Sequence, residues 1–291
     1  MPRPRSSPST CHQNSGFALI IVLWTLVLIA FVVAHLTATG RTEIRIAGNI
    51  VANAIAQAAA NGAICEAIFN LSNPQPDQRW PVDGNARELV IGSSRVLVRL
   101  EDEAWWINPN SASSALLETL LRVTGSDPAD ARRLAIAIGE WVGLAPEPRP
   151  QSVVLPDYRA AGLDYGPPGA PLETLDELGR VLGMTPATLA AIRPHLTLFG
   201  PSQPSMASAD PFVAAALAAA LQAPAVPSAA QPPPDLLTTR ITASAFGSGN
   251  AHVILTAIVR FGAALPRGYE VLAWRDSHER LGGSRQNIPA G

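Results

Sequence analysis

The sequence predicts an α+β fold, and three observations predict it. An apolar run from Phe17 to Ala34 carries no charged side chain, and a helical spacing of apolar residues continues from it to Asn70. Two groups of alternating segments, at 88–102 and 241–274, read as strands of one antiparallel sheet. The stretch between them has helical spacing and no strand pattern, so it is expected as an all-helical insertion into the sheet domain.

The opening run sets the topology. About 20 uncharged residues suffice to cross the hydrocarbon core of a bilayer as one helix, and the next charge after the run is Arg41. Arg3 and Arg5 precede it with no acidic residue among them, which keeps the leader cytoplasmic and sends the bulk of the chain across. A secretory signal peptide also has a basic start and an apolar centre, but its cleavable small residue follows the apolar run. Here the small residue, Gly16, precedes the run. The helix is therefore expected to stay, with Ile21, Leu23, Trp24 and Leu26 as its membrane and assembly residues.

Past the membrane, Ile44, Ala47, Val51, Ala54, Ala58, Asn61, Cys65 and Ile68 recur at spacings of three and four until Asn70-Leu71-Ser72-Asn73-Pro74 stops the helix. A single helix over this length is roughly 80 Å long at about 1.5 Å per residue. Its second half is expected to pack on a sheet. Cys65 reads as a small core hydrophobe; the other cysteine, Cys11, lies in the leader, so the mature chain can form no internal disulfide.

Composition excludes more than it suggests. The 291 residues carry a net charge of -2, which argues against a generic nucleic-acid or anionic-membrane surface. All 21 basic residues are Arg and none is Lys, a bias read together with the abundant Ala and 27 Pro as a coding preference.

Glu88 to Ile91 and Arg95 to Asp102 alternate around Gly92-Ser93-Ser94 as a hairpin. In Glu101-Asp102-Glu103 the sequence offers an acidic triplet, read as a solvated turn, and Trp105-Trp106 as a half-buried pair at a domain junction. Asn108, Asn110 and Ser111 are expected to cap a helix starting near Ala112, with Leu116, Leu117, Leu120 and Leu121 on its apolar face. A second helix, Ala129 to Trp141, follows the Thr124-Gly125-Ser126-Asp127-Pro128 turn as a helix hairpin. Leu144 to Pro171 reads as a loop, and a tight break at Gly183-Met184-Thr185-Pro186 is followed by a short helix from Ala187 to Ile192. Phe212 to Leu221 forms a last helix before a Pro/Ala linker, and Ile241 to Ala245, Ala251 to Arg260 and Tyr269 to Trp274 complete the sheet.

Ser15-Gly16-Phe17 ahead of an uncharged helix resembles the processing signal of type IV pilins and pseudopilins. That resemblance implies cleavage after Gly16 by a prepilin peptidase and N-methylation of Phe17. Major pilins carry Glu at the fifth mature position, where this chain has Ile21, an absence shared with protein K of type II secretion, a minor pseudopilin. The Asn108-Pro109-Asn110-Ser111-Ala112 block, the helix ending in Trp141, and the run from Tyr165 to Phe199 resemble the same family, and the last of these implies a helix over Pro171 to Leu178 and a closing strand ending at Phe199. The implied organisation is a leader at 1–16, a transmembrane helix at 17–40, a pilin-like α+β domain split between 41–103 and 235–275, a helical domain at 104–222, a linker at 223–234 and a tail at 276–291. The implied partners are the other minor pseudopilins at the tip of a periplasmic pseudopilus, the peptidase and the inner membrane, with no nucleic acid. The resemblance also implies that calcium, though not required, can bind in the inserted helical domain; Asp157, Asp164 and Glu140 are loop or helix-end carboxylates in that region, but none lies in a motif that aligns with the family, and no ligand is assigned.

Chemistry is otherwise sparse. His12, His35, His195, His252 and His278 have no metal-ligand spacing, and there is no nucleophile elbow, phosphate loop or paired-carboxylate motif, so a structural protein is expected and not an enzyme. The alternative is a membrane-anchored helix-hairpin-helix protein that binds DNA in the periplasm, which the helix pair around Gly125 resembles. Its hairpin carries Asp127 and no basic residue nearer than Arg122, which weakens phosphate binding.

Overall fold

The computed structural model describes residues 15–145, 149, 151–207, 210–221 and 236–277. The expected leader up to residue 14, the linker and the tail beyond residue 277 lie outside them. Helix α1 runs from Ser15 to Leu71 without a break. It ends where expected: Ser72 N–H still reaches the Ile68 carbonyl at 2.9 Å, and Pro74 has no N–H to continue the ladder. Contacts divide the chain into two compact units, one ending at Ile55 and one beginning at Ala56.

In the first unit the apolar side chains of α1 are exposed on every side of the helix, from Phe17 through Leu19, Ile20, Ile21, Val22 and Leu23 onward to Val33. Among the described residues no helix is long and apolar enough to cross a membrane. The side chains of residues 15, 16, 18 and 36–45, within the same helix, fall outside that description.

The second unit holds the sheet. Strands β1 (Ala86–Ile91), β2 (Ser94–Asp102), β3 (Leu237–Phe246), β4 (His252–Phe261) and β5 (Tyr269–Ser277) lie in the order β1-β2-β3-β4-β5, all antiparallel. The register stacks like with like: Val98 faces Ala243, which faces Leu255, and Leu100 faces Ile241, which faces Ala257. All six are buried, so one face of the sheet is covered, and a slip of one residue would turn them all outward. The part of α1 that belongs to this unit lies against the sheet, with Gly62 opposite Ile91 of β1 and Gln57 donating to Asp276 of β5 at 3.2 Å.

The buried stripe of α1 differs from the expected one. Ala56, Ala59, Ala60, Ala63, Ile64, Ala67, Ile68 and Leu71 are covered, whereas Val51, Ala54, Ala58 and Cys65 are exposed. Of the residues that the spacing selects in this unit, only Ile68 is buried. Two rows with helical spacing coexist in an Ala-rich helix, and the sheet takes the row whose small side chains allow close approach. Cys65 is consequently an exposed free thiol and not a core residue.

Between β2 and β3 the chain builds helices α2 (Ser114–Val123), α3 (Pro128–Val142), α4 (Gln151–Ala160), α5 (Pro186–Ile192) and α6 (Pro211–Ala220). Leu116, Leu117, Leu120 and Leu121 of α2 meet Leu134, Ile138 and Trp141 of α3 and Val213 and Leu217 of α6 in one core. Each such Leu contributes about 2 kcal/mol by burial. Asp127 caps α3 by accepting from Ala129 N–H at 2.9 Å, so the carboxylate in the helix hairpin serves the helix itself.

Three local expectations are corrected. Helix α4 occupies part of the stretch expected as a loop; Pro156 inside it hides the pattern, while Val154 and Tyr158, one turn apart, anchor it in the core. The helix expected from Pro171 is a 3₁₀ segment, Leu175–Arg180, closed by Thr174 and Glu177 as a capping box. The closing strand is a single parallel bridge between Leu196 and Ile107.

Candidate functional site: assembly helix and domain junction

The sequence-predicted residues of the first unit sit together on one element. Gly16 and Phe17 open α1, and Ile21, Leu23, Trp24 and Leu26 follow on it. Phe17 and Trp24 are each 69% exposed, and Ile21, the least exposed of the set, is 51% exposed. Exposed apolar groups on all sides of a helix need an apolar environment from outside the chain, either lipid or other helices.

In the second unit the junction between sheet and helices is polar and buried. Glu103, just past β2, has no exposed surface. One carboxylate oxygen accepts from Arg240 Nε of β3 at 2.8 Å and the other from the Thr197 hydroxyl, which belongs to the segment returning from the helices. The Arg240 guanidinium lies 4.0 Å from the centre of the Trp106 ring, so one cation serves both a carboxylate and an aromatic face. Gly200 packs so tightly here that a Cβ would sit 2.6 Å from the Glu103 carbonyl oxygen. Glu103 is thus not part of a solvated turn. A charge at zero exposure survives only because a cation from β3 and a hydroxyl from the returning segment converge on it. Neither lies near it in sequence. Its neighbours Glu101 and Asp102 are half buried, and burial raises both carboxyls above the usual range.

The Asn block does something other than capping. Ser113, not Asn110, caps α2, accepting from Leu116 N–H at 3.3 Å. Asn110 behaves like a piece of backbone: Oδ1 accepts from Leu172 N–H at 2.7 Å and Nδ2 donates to Leu172 C=O at 2.9 Å. Asn108 Nδ2 donates to the carbonyls of Gly200 at 2.9 Å and Leu198 at 3.3 Å, while its Oδ1 accepts from Asn110 N–H. Together they clamp segments 62 and 92 residues away onto the exit of β2. The Ser111 hydroxyl is buried and has no hydrogen-bond partner among the described residues. His195 Nδ1 meets Asp210 Oδ2 at 2.5 Å, and Asp210 also caps α6, fastening that helix to the returning segment.

The carboxylates expected near a metal are placed differently from a cation cage. Glu140, at the end of α3, takes Arg149 Nε on one oxygen at 2.6 Å and Nη2 on the other at 3.1 Å, and Asp157 of α4 takes Nη1 at 3.3 Å. Asp164 is exposed. Among the described residues no group of three or more His, Cys, Asp or Glu side chains could hold a metal ion. Calcium wants about six to eight oxygens, and here both Glu140 oxygens already face a guanidinium. As placed, Glu140, Asp157 and Asp164 do not form a calcium cage.

Tyr158 anchors α4 and provides a pH readout. It is buried, accepts from Leu182 N–H at 3.2 Å and packs against Trp141 and Tyr165. Burial pushes its phenol above the ordinary value. The folded protein then keeps a proton that the unfolded chain releases above about pH 10, so stability present below that pH is lost as pH rises further. With no Lys and only three Tyr in the chain, the alkaline slope is readable. Tyr158→Phe is expected to flatten the fall of the denaturation midpoint above about pH 10, at a neutral-pH cost of about 1 kcal/mol for the lost hydrogen bond. An unchanged slope would place the alkaline sensitivity elsewhere.

The part of α1 from residue 56 backs a five-stranded antiparallel sheet, and a helical insertion between β2 and β3 is fastened by buried polar groups, so the second unit is an α+β fold carrying an extra helical domain. Residues 85–201 match the family model described as "Type II secretion system (T2SS), protein K". Among solved structures, the chain is similar to a chain of the GspK-GspI-GspJ complex from the type 2 secretion system of enterotoxigenic Escherichia coli. The identity is 15% and the TM-score 0.52, over 84% of this chain and 99% of that one, a likeness of fold. None of the curated proteins matches. Over residues 85–201 the chain is similar to the type II secretion protein K family.

Proposed function

We propose that this chain is a structural minor pseudopilin of type II secretion, seated at the tip of a periplasmic pseudopilus with its bulk outside the inner membrane. The observation that carries this is the protein K match at 85–201, which spans β1, β2 and helices α2 to α5 of the insertion. A bulky insertion above the sheet would leave no room for another subunit, so the chain would cap the assembly. The apolar first half of α1 supports a membrane helix that later bundles with the helices of other subunits, and the complex to which the fold is similar contains two further such proteins. Ile21 fits a terminal position, because a tip subunit has no neighbour above whose N-terminal amine needs a carboxylate. Its role is assembly and export; no catalytic step is assigned to it.

The test is the intact mass of the membrane-extracted protein, expressed with and without a prepilin peptidase. Loss of Met1 to Gly16 with one methyl on Phe17, in the presence of the peptidase alone, is the expected result. An uncut N-terminus, or a cut beyond the apolar run, would overturn it.

A further inference from the structure

The inserted helical domain contains a carboxylate pocket whose occupant is part of the chain. The Glu140 side chain is only 7% exposed, at the C-terminal end of α3, where the helix dipole disfavours negative charge and water is scarce. Such a carboxylate demands a cation. Arg149 supplies it with a fork of two hydrogen bonds and reaches Asp157 of α4 with a third nitrogen. A small cavity of about 150 Å³ lies beside the pair, lined by both residues and by Gly143, Val154, Pro167 and Gly169. Gly143 holds φ +75°, and a Cβ there would sit 2.8 Å from the Gly169 carbonyl oxygen, so the loop crosses directly over the end of α3. Ala170 N–H donates to the Trp141 carbonyl at 3.2 Å, fixing that crossing.

We infer that Arg149 is the resident cation of Glu140 and Asp157, joining α3 to α4 in the way a divalent ion would, so that the helical domain folds independently of calcium. A guanidinium matches a carboxylate in plane and charge, and its three nitrogens span two acids on different helices. A calcium ion at the same place would have to displace a tethered cation and find further oxygen ligands. Glu140, Arg149 and Asp157 all belong to this chain, so their pairing stands whether or not the secretion role holds.

The experiment uses the full chain in detergent, with limited proteolysis of the 144–171 segment followed by mass spectrometry, in calcium or in a chelator. The wild type is expected to be cut at the same rate in both, and calcium titration calorimetry to show no binding heat. Arg149→Met strands Glu140 beside a short apolar side chain, and cleavage of the segment is expected to rise roughly tenfold. The double variant Glu140→Gln with Arg149→Met removes both charges together and is expected to recover most of that loss, which separates a lost ion pair from general misfolding. Protection of the wild type by calcium would overturn the inference, and so would an Arg149→Met rate equal to the wild type or a double variant no better than the single one.

Discussion

Replacing Arg240 with Met is expected to destabilise the second unit by about 3–5 kcal/mol, because it leaves the fully buried Glu103 carboxylate without its cation. The Met side chain can still lie on Trp106, so packing over the ring is largely kept and the loss reports the charge. For a domain of this size a loss of that order lowers the melting temperature by roughly 10 °C. Arg240→Lys keeps a cation but loses the flat face on Trp106, and a smaller cost of about 1 kcal/mol is expected. The decisive comparison is Glu103→Leu combined with Arg240→Met. A buried ion pair replaced on both sides by apolar groups costs little or even stabilises, so the double variant should melt closer to the wild type than Arg240→Met alone. Additive losses in the two single variants would show that Glu103 and Arg240 are not coupled.

Asn110→Ala is expected to cost roughly 2–4 kcal/mol, since it orphans the N–H and the C=O of buried Leu172 in one step. Asn110→Asp retains the acceptor for the Leu172 N–H and loses the donor, so about half of that loss is expected. Guanidinium denaturation gives both values. The structural consequence is local: the chain entering the 3₁₀ segment at Leu175 would detach from the exit of β2, and protease sensitivity should appear near Leu172 before the sheet unfolds. Equal stability of Asn110→Ala and the wild type would reduce Asn110 to a turn residue.

Much of the fold is legible in the sequence, for reasons tied to particular residues. The strands announce themselves because Val96, Val98 and Leu100 alternate with Arg95, Arg99 and Glu101, and a period of two matches a strand with one covered face and no helix. Helices α2 and α3 are equally plain, their Leu and Ile residues recurring at three and four. Helix α4 is not, because Pro156 and a Pro/Gly-rich surround carry the signals of a loop, and only the core waiting for Val154 and Tyr158 overrides them. The site divides in the same way. Gly16, Phe17 and the apolar residues after them form a linear motif, readable without any fold. Glu103 with Arg240 and Thr197, and Asn110 with Leu172, are encounters between residues 62 to 137 positions apart.

The sequence by itself determined the long N-terminal helix, the α+β class, the helical insertion and the resemblance to type II secretion protein K, because each rests on local spacing or on a contiguous motif. Only the tertiary structure decided which row of α1 is buried, that Cys65 is exposed, that Glu103 is a junction residue and that Arg149 pairs with Glu140 and Asp157. Burial and pairing are properties of surfaces brought together by folding. A row of alanines or a run of three acids has the same sequence whether it faces water or a neighbouring element, and what packs against it decides its role.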